Sequence, residues 1–310
     1  MTALICGSIA FDTIMVYKDR FGNHILPDKV HILNVCFVVP ELRREFGGCG
    51  GNVAYNLQLL GGKGLLLGTV GDDFEPYRRW MDRHGIDRSH VHQIPDSYTA
   101  QAFITSDLDD NQITAFHPGA MGYSVNFPIP LDAGISIGLV APDGYDGMMS
   151  HAQQFSDAGV PFIFDPGQNI PLFSGEELRR LIGQCSYLTV NDYECELIQN
   201  RTGLSLDELT RQVQALIVTR GGSGSYIYTG GQRLEIPAAP VSQVVDPTGC
   251  GDAYRAGLLY GIMVGLDWET TGRIASLAGA IKIEKPGTQN HYFDPASFQD
   301  RFQQAFGYRF

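Results

Sequence analysis

From residue 135 onward, short apolar segments alternate with amphipathic ones, and this alternation constrains the fold more than any other feature of the sequence. Residues 135–140, 161–164 and 187–190 have the length and apolar composition of buried strands. Between them, residues 145–157 and 176–184 have the length and pattern of helices. Strands that alternate with helices in this way predict a mostly parallel sheet that is covered by helices on both faces.

The composition excludes several classes of protein. The 310 residues carry a net charge of −12 and are 44% hydrophobic, which fits one large α/β domain or two smaller ones. Because nucleic-acid-binding proteins present a basic surface, this acidic chain is not expected to bind nucleic acid. No apolar run approaches the roughly 18 residues that a membrane span needs, so no membrane partner is expected. Six scattered cysteines without a C-x-x-C pair fit a reducing cytoplasm better than a disulfide scaffold.

The most informative chemistry lies in the stretch 245–252, which reads Val-Asp-Pro-Thr-Gly-Cys-Gly-Asp. Gly249 and Gly251 permit backbone angles that turn successive N–H groups toward one point, and the residues after them have a helical pattern. A helix start adds unpaired N–H groups and a partial positive charge, which together favour an anion.

Asp252 lies in the first turn of that predicted helix, where we expect the helix dipole to keep its carboxylate ionised. An ionised carboxylate beside an anion site can accept the proton of an alcohol that attacks a phosphoryl group. For a shorter Gly-x-Gly-Asp string, a helix-capping Asp behind a glycine turn would be the simpler explanation.

Residues 246–252 closely resemble the second signature of the ribokinase family, which includes ribokinase, nucleoside kinases and the minor phosphofructokinase. The resemblance implies a ribokinase-like three-layer α/β/α core with a mostly parallel central sheet. It also implies a small β lid formed by about 13–45 and 96–118, within a single kinase domain over residues 1–310. In the family, the position of Asp252 is the catalytic base. The turn of Gly249, Cys250 and Gly251 would then form the anion hole for the γ-phosphate.

Within the lid segments, residues 13–17 and 32–39 have the composition of strands, with an irregular excursion at 18–29 between them. The alternating residues 98–105 and 112–116 predict a hairpin. Residues 226–228 and 233–236 predict a second hairpin, at the edge of the main sheet. The turn that begins at Asp165 matches a family turn near the active site.

Motifs in the first half of the chain point to a substrate site. Asp12 follows a short apolar strand, and the resemblance implies that it grips substrate hydroxyls, although a solvated turn explains it locally. A carboxylate accepts two neighbouring O–H donors, which suits a ribose diol. The glycine run before Asn52 resembles the family's first signature, which directs Gly48 and Asn52 at the sugar. Further candidates to contact a base or sugar, each of which packing also explains, are Gln101, Phe116 and Met121.

Motifs in the second half point to a nucleotide and a metal ion. Asn191-x-x-Glu194 follows a strand and opens a helix, where hard oxygen ligands suit Mg²⁺ and where a capping box explains the spacing equally well. By resemblance, Glu194 binds Mg²⁺ through water, and ATP is bound by Asn191, Thr219, Gly221 and Gly224. In the family, the region of residues 282–285 can contribute to a K⁺ site. This chain has Lys-Ile-Glu-Lys there, which does not decide whether it binds K⁺.

Together these motifs predict an ATP- and Mg²⁺-dependent kinase that phosphorylates a primary, 5′-type hydroxyl. Residues 111–121 and 44–48 look most like bacterial adenosine-kinase-like nucleoside kinases, so a ribonucleoside such as adenosine is the expected substrate. Ribose or another sugar is the alternative. A phosphorylated sugar also stays open, although the cations near the first lid segment and the glycine motif are only Arg20, Lys29, Arg43 and Arg44.

Two readings from other classes are weaker. A nucleotide-binding regulator without turnover would be expected to lack the base or the glycine turn, and both are present. A Rossmann dehydrogenase would carry Gly-x-Gly-x-x-Gly after its first strand, and this chain does not.

Overall fold

Thirteen strands and nine α-helices account for most of the chain in a computed structural model that describes residues 1–25, 32, 34–109 and 111–310. The strands are β1 (Thr2–Cys6), β2 (Ala10–Val16), β3 (Glu41–Gly47), β4 (Gly64–Val70), β5 (Asp87–Gln93), β6 (Ala100–Ser106), β7 (Gln112–His117), β8 (Ile135–Val140), β9 (Phe162–Phe164), β10 (Tyr187–Asn191), β11 (Ala215–Thr219), β12 (Ser225–Thr229) and β13 (Gln232–Ile236). The helices are α1 (Cys49–Leu59), α2 (Glu75–His84), α3 (Tyr145–Asp157), α4 (Gly175–Gln184), α5 (Asp192–Thr202), α6 (Leu206–Gln212), α7 (Cys250–Val264), α8 (Trp268–Ile283) and α9 (Pro295–Phe306).

The larger sheet has nine strands in the order β13-β12-β11-β10-β9-β8-β1-β4-β5. The pairings from β11 across to β5 are all parallel, whereas β12 and β13 form an antiparallel hairpin at one edge. The predicted mostly parallel sheet and the predicted edge hairpin are therefore confirmed.

Helices cover both faces of this sheet, as predicted. Along β1, the side chains of Ala3 and Ile5 enter one apolar cluster, while those of Leu4 and Cys6 enter a second. The first cluster also contains residues of α1, α2, α7, α8 and α9, and the second contains residues of α3, α4, α5 and α6. Because successive strand residues point to opposite faces, β1 is buried from both sides and reads as a continuous apolar run.

A smaller, four-stranded sheet has the order β3-β2-β6-β7. Its strands come from the two segments that the sequence assigned to the lid. The strand register places Glu45, Asp12, Ala102 and Phe116 opposite one another in one row across the sheet. These four residues therefore share one face, and their sequence neighbours lie on the other.

One predicted lid strand is wrong. The apolar residues between 32 and 39 suggested a strand, but residues 32 and 34–39 contain none, and residue 33 lies outside the described residues. The strand is instead β3, whose charged residues pair antiparallel with β2 over its whole length. Pairing with a neighbouring strand decided the conformation here, against the local preference for apolar and β-branched residues. Of the predicted excursion at 18–29, residues 26–29 also lie outside the described part of the chain.

None of the helices formed by the described residues is both long and apolar enough to cross a membrane.

Candidate active site

A single cavity of about 1210 Å³ lies between the smaller sheet and the carboxyl-end loops of the larger one. Pockets for one small molecule usually measure about 300–1,000 Å³, so this cavity has room for two ligands side by side. Most residues that the sequence assigned to substrate, phosphate and nucleotide lie on its wall. They are Asp12, Gly48, Asn52, Phe116, Met121, Asn191, Glu194, Thr219, Gly221, Gly224, Gly249, Cys250, Gly251 and Asp252.

The predicted anion hole lies at the amino end of α7. Gly249 has φ of 78°, in the left-handed region that glycine adopts without strain, and it precedes the first helical residue. The N–H of Cys250 donates to the carbonyl of Pro247 at 3.2 Å. The N–H groups of Gly251 and Asp252 follow in the first turn, where a helix provides no carbonyl partner of its own. Of the three residues named from the sequence, Cys250 therefore has its N–H engaged, while the N–H groups of Gly251 and Asp252 are available to an anion.

The carboxylate of Asp252 is held by a side chain from another helix. Asn52, on α1, donates from Nδ2 to Oδ2 of Asp252 at 2.8 Å. Burial raises the pKa of Asp252 to about 6, the charge of Asp165 adds to that rise, and the contacts with Asn52 and Arg255 oppose it. The sequence argument considered only the helix dipole, which favours the charged form, whereas burial acts in the opposite direction. Above about pH 6 the carboxylate is nevertheless ionised and able to accept a proton.

Asn52 is oriented in turn by Gln289, which the sequence argument did not single out. The side chain of Gln289 is buried, and its Nε2 donates to Oδ1 of Asn52 at 2.9 Å and to the hydroxyl of Tyr77. Trp80 donates from Nε1 to Oε1 of Gln289 at 2.9 Å. With its oxygen already accepting from Gln289, Asn52 must turn its amide nitrogen toward Asp252.

A buried ion pair adjoins Asp252 on the other side. The guanidinium of Arg255 donates to both carboxylate oxygens of Asp165, at 2.9 and 3.0 Å, and both side chains are almost fully buried. Nη2 of Arg255 also lies 4.0 Å from Oε2 of Glu194. These carboxylates raise the pKa of Arg255 against the effect of burial, so a fixed positive charge lines the cavity. The turn at Asp165 was matched to the family from the sequence, but its partner Arg255 was not.

Asp12 lies on β2 of the smaller sheet rather than in a turn after β1. Gly47, on the neighbouring strand β3, leaves space for this carboxylate, because a Cβ at Gly47 would lie 2.5 Å from Oδ2 of Asp12 and would displace it. Burial raises the pKa of Asp12 to about 6, and the nearby charges of Glu45 and Asp246 contribute. The structure therefore places a second carboxyl with a raised pKa on the wall of the cavity.

The remaining substrate candidates divide according to the face of the sheet they occupy. Phe116 is 53% exposed and lines the cavity together with Met121. Gln101 lies on the opposite face, where it pairs with Phe11 and donates to Oγ1 of Thr13 at 2.6 Å. Gln101 is not among the described residues that line the cavity, so the structure does not support it as a substrate contact.

Gly48 lies on the wall but has a structural reason to be glycine. Its φ is 83°, and a Cβ would come within 2.5 Å of the carbonyl oxygen of Ser8. The residue thus allows α1 to begin directly against the backbone that follows β1.

Asn191 and Glu194 form the capping box that was the alternative to a metal role. Oδ1 of Asn191 accepts from the N–H of Glu194 at 2.7 Å, and Oε2 of Glu194 accepts from the N–H of Asn191 at 2.7 Å. Burial raises the pKa of Glu194. Both residues also line the cavity, so capping and ligand binding are compatible here.

The cations considered for a phosphorylated sugar are engaged elsewhere. Arg20 pairs with Asp109, Arg43 with Glu45, and Arg44 with Asp73. In the parts of the chain that the structure describes, none of these three arginines lines the cavity, and Lys29 lies outside those parts.

Comparison with known proteins agrees with this geometry. A nucleoside kinase of Burkholderia thailandensis in complex with inosine is 52% identical, with a TM-score of 0.90 and 99% of both chains covered. The same enzyme in complex with ADP–inosine gives 53% identity and a TM-score of 0.88 over 99% of this chain and 97% of that one. A nucleoside kinase of Methanocaldococcus jannaschii, described as an archaeal member of the ribokinase family, is 30% identical, with a TM-score of 0.89 and 98% of both chains covered. The model of the pfkB family of carbohydrate kinases matches residues 29–294, and the chain belongs to this family.

Proposed function

We propose that this kinase transfers the γ-phosphate of ATP to the 5′-type hydroxyl of a ribonucleoside, with Asp252 as the catalytic base. The observation that carries the proposal is the pairing of Asp252 with Asn52 at the amino end of α7, inside a cavity with room for two ligands. The Burkholderia relative, described with inosine and with ADP–inosine, supports a nucleoside as the acceptor and ATP as the donor.

In the proposed mechanism, Asp252 accepts the proton of the acceptor hydroxyl while the oxygen attacks the γ-phosphorus and the bond to the β-phosphate oxygen breaks. Such a reaction depends chiefly on positioning and on neutralising the charge of the transferred group. The N–H groups of Gly251 and Asp252 at the start of α7 would stabilise the negative charge of the transferred group. Arg255 lies nearby, with its positive charge paired to the carboxylate of Asp165. Asn52 keeps the carboxylate of Asp252 in a single orientation.

Mg²⁺ fits the oxygen donors on the nucleotide side of the cavity. The ion binds proteins through one or two carboxylates and takes its other ligands from phosphates and water. Glu194 offers such a carboxylate on the wall, and no cluster of three or more acidic, His or Cys side chains is found among the described residues. When bound, Mg²⁺ would neutralise phosphate charge. The adenine and phosphates of ATP are assigned to the wall formed by Asn191, Thr219, Gly221 and Gly224.

Of two features on the cavity face of the smaller sheet, one favours a nucleoside over a free sugar. Asp12 can accept the two hydroxyls of a ribose, and a free sugar would satisfy it equally well. Phe116 lies in the same row of the sheet and presents an exposed aromatic ring to the cavity, together with Met121. A planar base would stack on such a ring, whereas a free ribose would leave it in water. As a lid, this sheet would close over the substrate and exclude water that competes as the acceptor.

A panel of acceptors tests the proposal directly. Purified protein is incubated with MgATP and, separately, with inosine, adenosine, other ribonucleosides, ribose, fructose and fructose 6-phosphate, and ADP release is measured. We expect the highest kcat/KM with a purine ribonucleoside. A higher kcat/KM with a free or phosphorylated sugar would overturn the nucleoside assignment, and nucleotide binding without turnover on any acceptor would indicate a regulator.

A further inference from the structure

Lys282 is a fully buried lysine that the proposed mechanism does not use. It lies in the last turn of α8, and 0% of it is exposed. Burying an ammonium group is costly unless hydrogen bonds and an opposite charge compensate for the lost water. The contacts of this side chain must therefore account for its burial.

Those contacts are main-chain carbonyls and one carboxylate. Nζ of Lys282 donates to the carbonyl oxygen of Asp246 at 2.6 Å and to that of Lys285 at 3.3 Å, and it lies 4.0 Å from Oδ1 of Asp246. Burial lowers the pKa of Lys282, while the charges of Asp246, Cys250 and Asp252 oppose that change. Burial acts to raise the pKa of Asp246, but hydrogen bonds from Thr248 and Gly287 and the charge of Lys282 lower it. The pair is thus a buried cation beside an ionised carboxylate.

Lys282 stabilises the loop of residues 245–248, which leads into the anion hole. The N–H groups of Val245 and Asp246 donate to the carbonyl of Ile283, at 2.9 and 3.1 Å. The carboxylate of Asp246 accepts from the N–H of Thr248 at 2.9 Å and from that of Gly287 at 2.8 Å. Lys282 therefore closes a compact junction between the end of α8 and residues 245–248, which set the position of Gly249 and of the start of α7.

The same oxygens would be the ligands of a monovalent cation at this junction. A K⁺ ion in a protein replaces its water shell with several main-chain carbonyl oxygens. Here the carbonyls of Asp246 and Lys285 already accept hydrogen bonds from the ammonium of Lys282. Like a bound monovalent cation, the ammonium group of a lysine is a compact single positive charge, and it has three hydrogen-bond donors for such oxygens. The residues present do not fit an additional K⁺ ion at this point.

We propose that the side chain of Lys282 serves as a built-in monovalent cation that positions the anion-hole loop, so that phosphoryl transfer by this protein does not depend on K⁺. Lys282 is a positioning residue, since it acts through Asp246 and the loop. The inference rests on the proposed kinase site.

The unaltered protein provides the first test. Its melting temperature, its affinity for ADP by calorimetry, and its kcat and KM are measured in NaCl and in KCl at constant ionic strength. We expect no difference between the two salts. A K⁺-dependent rise in kcat, ADP affinity or melting temperature would overturn the proposal.

Two substitutions give the second test. Lys282→Met fills the space without a charge, and Lys282→Ala leaves space for an ion. Both are expected to lower kcat on the order of 10²-fold, because small displacements of a reacting geometry have effects of that size. The KM for nucleoside should change far less. K⁺ or NH₄⁺, but not Na⁺, should restore part of the kcat and melting temperature of Lys282→Ala and leave Lys282→Met unchanged. Normal kcat in Lys282→Met, or no restoration of Lys282→Ala by either ion, would reduce Lys282 to a packing residue.

Lys63→Met is the matched control, because this lysine is exposed and lies outside both the cavity and the junction. It should behave as the unaltered protein does in both salts. If no nucleoside is phosphorylated at all, the acceptor assignment fails, whereas the melting temperatures and ADP affinities of the same variants still decide the role of Lys282.

Discussion

At the scale of single residues, the chemistry of the site depends on the pKa of Asp252, which two opposing effects set. A helix start favours the charged carboxylate, but burial raises the pKa to about 6. A base with a pKa just below neutrality is ionised in most molecules at pH 7 and still binds a proton well.

Replacing this carboxyl should abolish most turnover without unfolding the protein. We expect Asp252→Asn to lower kcat by about 10²–10⁴-fold, the usual contribution of a general base, with little change in the affinity for ATP. The measurement is steady-state kinetics with nucleotide binding by calorimetry. The control is Asp207→Asn, an exposed acid in the first turn of α6 that lies outside the cavity, and it should leave kcat unchanged. Turnover near that of the control would exclude Asp252 as the base.

The pH dependence of the unaltered enzyme follows from the same group. Because the base must be ionised, kcat/KM should fall as the pH drops through about 6, where Asp252 and Asp12 both take up protons. A pH profile of kcat/KM, recorded between pH 5 and 8 with a pH-insensitive coupling assay, checks this. A profile that stays flat down to about pH 5 would contradict the raised pKa values that burial produces.

Gln289 should matter because it fixes which atom of Asn52 faces Asp252. In Gln289→Leu, Asn52 loses the donor to its oxygen and is free to rotate, so kcat should fall by about 10-fold or more through lost orientation. Trp80→Phe keeps an aromatic ring in place but removes the donor to Oε1 of Gln289, and a smaller loss is expected. If Gln289→Leu has an unaltered kcat at an unaltered melting temperature, Asn52 does not need this support.

The candidate residues that the sequence indicated and those that only the structure added differ in how they reach the site. Asp252, Asn52 and Glu194 sit in short local patterns of glycine, helix start and strand end, which a sequence displays directly. Gln289, Arg255 and Lys282 act through partners that are 237, 90 and 36 positions away. No local spacing records such contacts, because they arise only when the helices pack.

At the scale of elements, the smaller sheet shows both the power and the limit of strand periodicity. The alternation along β6 and β7 predicted the hairpin, and the structure confirms it. Periodicity also separates residues into two faces, but it does not say which face meets the ligand. Gln101 and Phe116 were both proposed as substrate contacts, yet the pairing of Gln101 with Phe11 and of Ala102 with Phe116 puts them on opposite sides.

The two faces of this sheet can be compared by matched substitutions. Phe116→Ala on the cavity face should raise the KM for nucleoside by about 10-fold or more, because stacking of a base on an aromatic ring contributes about 1–3 kcal/mol. Phe103→Ala on the opposite face removes an equal side chain that is 40% exposed, and the KM should not change. Equal effects of the two substitutions on KM would mean that the ring of Phe116 does not contact the base.

At the scale of the whole molecule, the site exists because one sheet gathers distant segments at its carboxyl edge. Asn191 and Thr219 end neighbouring parallel strands, and they are paired in register. Parallel strands present their carboxyl ends on the same edge, where α/β proteins bind ligands. The order of strands and helices was therefore enough to predict a mostly parallel sheet covered on both faces, whereas the candidate site was proposed from the motifs. The junction at Lys282 was not predictable, because it depends on how the end of α8 packs against the loop that precedes α7.

Burial of the Asp252 carboxyl in the cavity should also lower the stability of the protein, by an amount that depends on pH. A carboxyl with a pKa of about 6 in the folded protein and about 4 in the unfolded chain holds a proton between these pH values only when folded. Its contribution is therefore favourable at low pH and is lost as the pH rises through about 6. Burial lowers the pKa of His151 and of His291, the latter to about 3, and these groups act in the opposite direction, since they lose stability as the pH falls. The total stability of the protein thus mixes two trends of opposite sign.

A comparison of Asp252→Asn with the unaltered protein isolates the carboxyl from the histidines, which both proteins share. The difference in free energy of unfolding, variant minus unaltered protein, should increase by roughly 1–3 kcal/mol from pH 4.5 to pH 7.5. Over this range the folded, unaltered protein loses the proton of its Asp252 carboxyl, and the variant has no such proton to lose. Urea denaturation at several pH values measures it, and Asp132→Asn, which removes an exposed carboxyl before β8, should show a constant difference. A constant difference for Asp252→Asn as well would mean that its carboxyl has the same proton affinity folded and unfolded. The base would then not have been desolvated by the cavity, and the fall in activity at low pH would need another group.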